Sequence, residues 1–249
     1  MIPKIIHYCW FGRNPLPESA LKCITSWRKF LPDFEIKEWN EDNFDVNIIT
    51  YTQQAYETKK YAFVSDYARY WILYHYGGLY FDTDVEIIKP MDNIIERGAF
   101  MGIEVPSIKG SLPQVAPGLG LAVEKGHFFY KRIIDVYANL VFLNPDGSLN
   151  QKTIVSYNTE LLKKYGLKST NEIQQVAEIW IYPVDYFNPF DDLTGKLNIT
   201  KNTRSIHWYS ASWSDSSSFR KFCSRISHRL FGMRIHHLKS KFLFRYFKS

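Results

Sequence analysis

Apolar and polar positions fall into short, well-bounded blocks along this chain. Lys4 to Phe11 (KIIHYCWF) is rich in β-branched and aromatic residues and is closed by Gly12 and the loop prolines Pro15 and Pro17, which predicts a buried first strand. From Glu18 to Leu31 the apolar residues Leu21, Ile24, Trp27 and Leu31 recur at spacings of three and four until Pro32 stops the pattern, as in an amphipathic helix. Phe34 to Trp39 alternates as a second strand. Strand, helix and strand in succession predict an α/β fold with a mixed, mostly parallel sheet flanked by helices. Thr50 to Lys60 and Ala62 to Tyr76 follow as helices, Met91 to Arg97 as a short helix and Ala99 to Glu104 as a strand. Pro106 to Gly120, with three prolines and three glycines, reads as a long irregular binding loop or lid. His127 to Val141 and Thr153 to Tyr165 read as helices around the turn Asn144-Pro145-Asp146-Gly147. Ile179 to Tyr182 and Ser205 to Trp208 are short strands, and Ser210 to Ser218 is a polar loop.

Charge interrupts the pattern between Phe63 and Lys89, FVSDYARYWILYHYGGLYFDTDVEIIK. The segment reads as a helix carrying Ser65, Asp66 and Arg69, a break at Gly77-Gly78, and a strand ending in Asp82 and Asp84. Asp66 and Arg69 lie three apart, on one helix face. Asp82 and Asp84 lie two apart, on one side of an extended chain. Three carboxylates and a guanidinium therefore gather near one strand end among apolar neighbours such as Ala68, Trp71, Leu79 and Phe81. Charge is costly to bury there without a cation or polar ligand. By themselves, Asp82 and Asp84 also fit a solvated turn, and Asp66 with Arg69 fits an ion pair on a helix surface.

A chain of 249 residues with 45% hydrophobic content can bury a sizeable core, and one α/β domain with small additions fits better than two domains. The net charge of +6 is unevenly placed: residues 219–249 hold nine of the 31 Lys and Arg and no acid, so the other 22 face all 25 acids. A body of about −3 gives no reason to expect nucleic acid. In the tail, Phe219, Phe222, Cys223, Ile226, Leu230 and Met233 follow helical spacing opposite Arg220, Lys221, Arg225 and Arg229. That is the pattern of a basic amphipathic helix lying on an anionic membrane surface, and it divides the chain into a body, 1–218, and a tail, 219–249. Cys9, Cys23 and Cys223 show no CxxC spacing, which argues against a disulfide framework or a thiolate zinc site. No signal-peptide pattern opens the chain, and no run approaches the roughly 18 apolar residues of a membrane span. The expected location is cytoplasmic, peripheral to the inner face of a cell membrane.

Three blocks taken in order, IPKIIHYCWFG, SDYAR with YGGLYFDTD, and IHWYSASW, resemble the glycosyltransferases with a DXD motif of family thirty-two. These include bacterial capsule and lipopolysaccharide sugar transferases and fungal Golgi α-mannosyltransferases; the glucosyltransferase domains of large clostridial toxins are more distantly similar. The resemblance spans residues 2 to about 215. It implies a GT-A type nucleotide-binding fold, a nucleotide-sugar donor, a divalent metal (Mn²⁺ or Mg²⁺) and transfer with retention at the anomeric carbon. Asp82 and Asp84 match the DXD pair and would be metal ligands, with His207 beside the metal and diphosphate. Asp66 and Arg69 would hold donor-sugar hydroxyls and, with Asp82, form the catalytic set. Trp10 would stack on the base, Tyr80 is the aromatic before the DXD pair, and Ser212 and Trp213 match the closing Ser-Trp of the donor site. Ala116-Pro117-Gly118 departs from the family, which has an Asn-containing element nearer the donor. The residue types suit the chemistry: carboxylates without thiolates favour a hard cation, an imidazole tilts the choice towards Mn²⁺, and such a cation offsets charge on a leaving diphosphate. The implied activity is a retaining hexosyltransferase, UDP-hexose favoured, acting on a glycan acceptor, lipid-linked, in bacterial surface polysaccharide synthesis. The alternatives are a protein-modifying glycosyltransferase and a non-catalytic carbohydrate-binding protein.

Overall fold

Ile5–Cys9 (β1) is apolar at nearly every position because it lies inside a sheet covered on both faces. In the computed structural model the described residues are 1–210, in two units: residues 1–189 with 199–210, and residues 190–198. After β1 the first unit runs through α1 (Glu18–Phe30), β2 (Glu35–Trp39), α2 (Thr50–Glu57), α3 (Tyr61–Tyr76), β3 (Gly78–Tyr80), β4 (Val85–Ile87), α4 (Asp92–Ile95), β5 (Phe100–Val105) and β6 (Gln114–Ala116). A 3-10 turn (Pro117–Leu119) leads to β7 (Leu121–Val123), α5 (Phe128–Ala138), α6 (Ile154–Lys164), β8 (Gln174–Val176), β9 (Ile179–Tyr182) and α7 (Val184–Phe187). The second unit is a hairpin of β10 (Phe190–Asp191) and β11 (Lys196–Leu197), whose turn is closed by Gly195 N–H on the Asp191 carbonyl at 2.7 Å. β12 (Ser205–His207) belongs again to the first unit.

The main sheet has the order β2-β1-β3-β7-β5-β9-β8, with β6 paired to β5. β1, β2, β3, β5 and β9 run one way and β6, β7 and β8 run against them, so the sheet is mixed and mostly parallel by strand direction. Its period of two assigns each side chain to a face: Tyr80, Met101, Leu121 and Val123 join the helices α2, α3, α5 and α6, while Leu79, Phe81, Phe100 and Ala122 join α1, α4 and α7. β12 and β4 form a separate antiparallel pair, His207 opposite Val85.

The reading of the helices holds, with one shift in α1. Leu21 is 50% exposed, and the buried stripe is Ala20, Cys23, Ile24 and Trp27, one position further round the helix. α3 is apolar almost all round because it is buried almost all round. Gly77 and Gly78 end it in positive φ, and a Cβ at Gly78 would stand 2.6 Å from the Ile5 carbonyl, so only glycine lets the chain enter the sheet beside β1. Two expectations are corrected. The segment 106–120 is not an open lid: Val115 to Gly120 is buried, and part of it pairs with β5, because its apolar residues complete the sheet. Nor does the strand before the acidic pair reach it; β3 stops at Tyr80, and Asp82 to Asp84 form a turn closed by Val85 N–H on the Asp82 carbonyl at 3.0 Å.

Candidate active site

The turn after β3 and the end of β12 bring Asp82, Asp84 and His207 together, with one ligand atom from each lying within 4.8 Å of the others. His207 arrives through the β12–β4 pairing, and the Trp208 N–H donates to the Asp84 carbonyl at 3.0 Å, which pins the two chain segments side by side. His207 Nε2 lies 3.1 Å from Asp84 Oδ1. Ser210 donates to Asp84 Oδ2 from its N–H at 2.9 Å and its hydroxyl at 3.2 Å. Burial alone would raise the Asp84 carboxyl, but His207 and these bonds hold it at about 2. Against its own burial, His207 is raised by Asp84.

Asp82 is held from the other side of the sheet. Tyr80, buried beneath it, donates its hydroxyl to Asp82 Oδ1 at 3.1 Å, so it reaches the site through Asp82. Arg69 on α3 lies over the Tyr80 ring, 5.0 Å from its centre. Its side chain is 5% exposed and bridges two acids: Nη2 lies 2.9 Å from Asp66 and 3.3 Å from Asp82, and Nη1 donates to Asp82 Oδ2 at 3.4 Å. Nε donates to the Ser65 carbonyl at 3.1 Å. Burial works against the guanidinium charge, yet Asp82, Tyr80 and Asp66 raise its proton affinity well above the ordinary value. A single cation cannot neutralise two carboxylates in a buried place. Asp66 shows the deficit, as burial pushes it up to about 6 despite Arg69; burial likewise raises Asp82, with Arg69 pulling the other way. The pair is thus a buried bridge and not an ornament of the helix surface.

The site residues fit a divalent cation. Two carboxylate oxygens and an imidazole nitrogen converge, Asp84 is ionised, and His207 Nδ1 is a buried polar atom without a partner among the described residues. Trp10 follows β1, its indole N–H tied to the Asn14 carbonyl at 2.6 Å and its ring half-buried. Ser212 and Trp213, and the tail 219–249, lie outside the described residues. Sequence reasoning gave no site role to three neighbours, although it marked one of them, Gly118, as part of a departure from the family. Ser210 is one of many serines near the end, and nothing in the pattern singles it out. Gly118 supports Asp82, whose N–H donates to the Gly118 carbonyl at 3.3 Å; a Cβ there would stand 2.1 Å from Asp82 Oδ2. Glu104 ends a strand like any other charged residue, although a strand end in an α/β sheet is where ligands bind.

Helices on both faces of a mixed sheet, with an Asp-Thr-Asp turn facing a histidine, are the features that the comparisons with known proteins match to glycosyltransferases. Residues 17–101 match the model of the glycosyltransferase sugar-binding region containing the DXD motif. The chain is 33% identical over 197 residues to an uncharacterized glycosyltransferase of Acanthamoeba polyphaga mimivirus, covering 76% of each. It is 32% identical over 111 residues to inositol phosphoceramide mannosyltransferase 1 of Schizosaccharomyces pombe, covering 40% of this chain and 33% of that one. The chain spans about a third of the length of the fungal relatives it matches. Among solved structures, a glycosyltransferase involved in glycosylation of the major capsid of PBCV-1 is 12% identical, with TM-score 0.48, over 90% of this chain and 100% of that one. The protein belongs to the glycosyltransferase family whose sugar-binding region contains the DXD motif.

Proposed function

We propose that the protein is a metal-dependent, retaining glycosyltransferase that moves a hexose from a nucleotide sugar to a glycan acceptor. The observation that carries this reading is the convergence of Asp82, Asp84 and His207 beside an arginine shared between Asp66 and Asp82. Asp82, Asp84 and His207 would hold the cation, which when bound offsets the negative charge developing on the leaving diphosphate. Arg69 aims Asp82 and opposes the effect of burial on its charge, and Tyr80 fixes one of its oxygens. Asp66 offers acceptors to donor-sugar hydroxyls, and Trp10 offers a face to the base. UDP-hexose is the favoured donor, because the Asp-x-x-Arg spacing of Asp66 and Arg69, together with Trp10, is similar to that of the clostridial toxin glucosyltransferase domains. A mannosyl donor is the second reading, favoured by fungal relatives named as mannosyltransferases. We place the acceptor on a lipid in bacterial surface polysaccharide synthesis, with the protein at the inner membrane face, on the strength of the basic segment 219–249.

The test is hydrolysis of UDP-glucose, UDP-galactose and GDP-mannose with Mn²⁺, Mg²⁺ or EDTA. Cation-dependent release of one nucleoside diphosphate is expected, and Asp84→Ala should remove it while leaving the melting temperature close to wild type. Full activity in EDTA, or in Asp84→Ala, would overturn the metal assignment.

A further inference from the structure

The carboxyl ends of β1, β3 and β5 lie along one edge of the sheet, because these three strands run the same way. Trp10 follows the first and Asp82 the second. Glu104 stands at the end of the third, and β7 alone separates β5 from β3, which puts the two strands about 10 Å apart. A nucleotide with its base towards Trp10 and its diphosphate at Asp82 and Asp84 leaves the β5 end for whatever receives the sugar.

That end carries a polar cluster that core packing does not explain. The β5–β6 register shifts between Ile103 and Val105, so Glu104 is the bulged residue, a feature that re-aims a side chain beside a site. Its Oε1 accepts from the Tyr209 hydroxyl at 3.1 Å. Asn188, at the end of α7, donates from Nδ2 to the Tyr209 hydroxyl at 2.8 Å and to the Glu104 carbonyl at 3.2 Å. Asn188 is 7% exposed, and its Oδ1 is buried without a partner among the described residues. The Tyr209 ring packs against His207, with ring centres 4.1 Å apart, which joins the cluster to the candidate metal ligands. Tyr209 has a left-handed backbone, φ 49, so the chain sends Trp208 to Glu86 and Tyr209 to Glu104. Among the described residues Glu104 has no lysine or arginine partner.

The groups left over are acceptors: a carboxylate oxygen of Glu104 and the amide oxygen of Asn188. A ligand here must bring hydrogen-bond donors, and a phosphate or carboxylate would meet the charge of Glu104 with Asp82 and Asp84 beyond it. We propose that Glu104, positioned by Tyr209 and Asn188, forms the acceptor subsite, and that it takes the hydroxyls of a neutral sugar or cyclitol ring. The subsite rests on the glycosyltransferase reading above, since only that reading supplies a sugar to be received.

The experiment is the partition of donor between transfer and hydrolysis. Full-length protein is given the nucleotide sugar that it hydrolyses best, with methyl glucoside, methyl galactoside, methyl mannoside or myo-inositol as acceptor probes. Removal of a charged hydrogen-bond acceptor by Glu104→Gln should lower the ratio of transfer to hydrolysis about tenfold or more. Tyr209→Phe should lower it less, in the same direction, and the Mn²⁺ concentration for half-maximal hydrolysis should move less than about threefold in both. An unchanged ratio, a parallel fall in transfer and hydrolysis with a raised Mn²⁺ requirement, or no transfer by wild type to any neutral probe would each overturn the subsite while leaving donor chemistry intact. No hydrolysis of any donor by the wild type would instead overturn the reading of the site as a whole, and the subsite with it.

Discussion

The absent side chain at position 118 controls the aim of Asp82. A Cβ there would meet Asp82 Oδ2 at 2.1 Å and approach Arg69 Nη1 to 3.4 Å. The first of these is the end of a rotatable side chain, so the clash is relieved by turning the carboxylate rather than by moving the backbone. Gly118→Ala is therefore expected to fold and to bind cation poorly, with metal-dependent hydrolysis reduced roughly tenfold or more, and to add nothing further in an Asp82→Ala background, as coupled neighbours do. Melting curves, Mn²⁺ titrations and the double-mutant comparison check this; additive losses would show that Gly118 acts elsewhere. Arg69 illustrates how a residue changes meaning with its surroundings. Its spacing from Asp66 suits a solvated pair worth little, whereas the buried bridge to two acids leaves uncompensated charge if it is cut.

At the scale of elements, the junction of β1, β2 and β3 is held by His7. This fully buried side chain accepts from the Trp39 indole N–H at Nδ1 and donates from Nε2 to the Gly77 carbonyl, both at 3.0 Å. Both bonds use the neutral ring. Burial lowers its pKa to about 4, with the charge of Lys37 acting the same way and the bond to Gly77 opposing. The unfolded chain takes up this proton near pH 6.5 and the folded chain does not until about pH 4, so stability from His7 is full above 6.5 and is lost as pH falls through that window. The loss is on the order of 3 kcal/mol. Denaturant midpoints of wild type and His7→Phe between pH 7 and 4.5 should show the variant weaker at pH 7 but less sensitive to acid. Equal slopes would mean that His7 titrates normally in the fold.

For the whole molecule, the basic segment at the end of the chain bears on where it works. The described residues contain no helix long and apolar enough to cross a membrane. The sequence from 219 to 249 carries nine basic residues and no acid. Attraction of about 1 kcal/mol per basic residue near an anionic surface, weakened by salt, is enough for binding. Truncation after Ser218 is expected to abolish sedimentation with phosphatidylserine vesicles at low salt while cation-dependent donor hydrolysis persists. Loss of hydrolysis in the truncated chain would assign the tail to the catalytic body instead of to a surface.

The sequence by itself determined the elements whose apolar period is long enough to read. These are α1, α3 and α6, the four residues of β9, the glycine break after α3 and the DXD motif with its family, though not the turn that carries it. It did not show β6, β7 or β8, three residues each, since so short a run displays no period. Their existence depends on pairings across distance, such as Leu79 with Ala122 and Gln175 with Trp180. The same holds at the site. Asp82 and Asp84 were legible as a motif, but their convergence on His207 comes from a turn and from β12 lying on β4, some 120 residues apart in the chain. The parts played by Gly118, Glu104 and Ser210 follow from register and close approach, which local propensity does not encode. Periodicity is a property of neighbours in sequence, whereas a site is a property of neighbours in space, and only folding makes the second from the first.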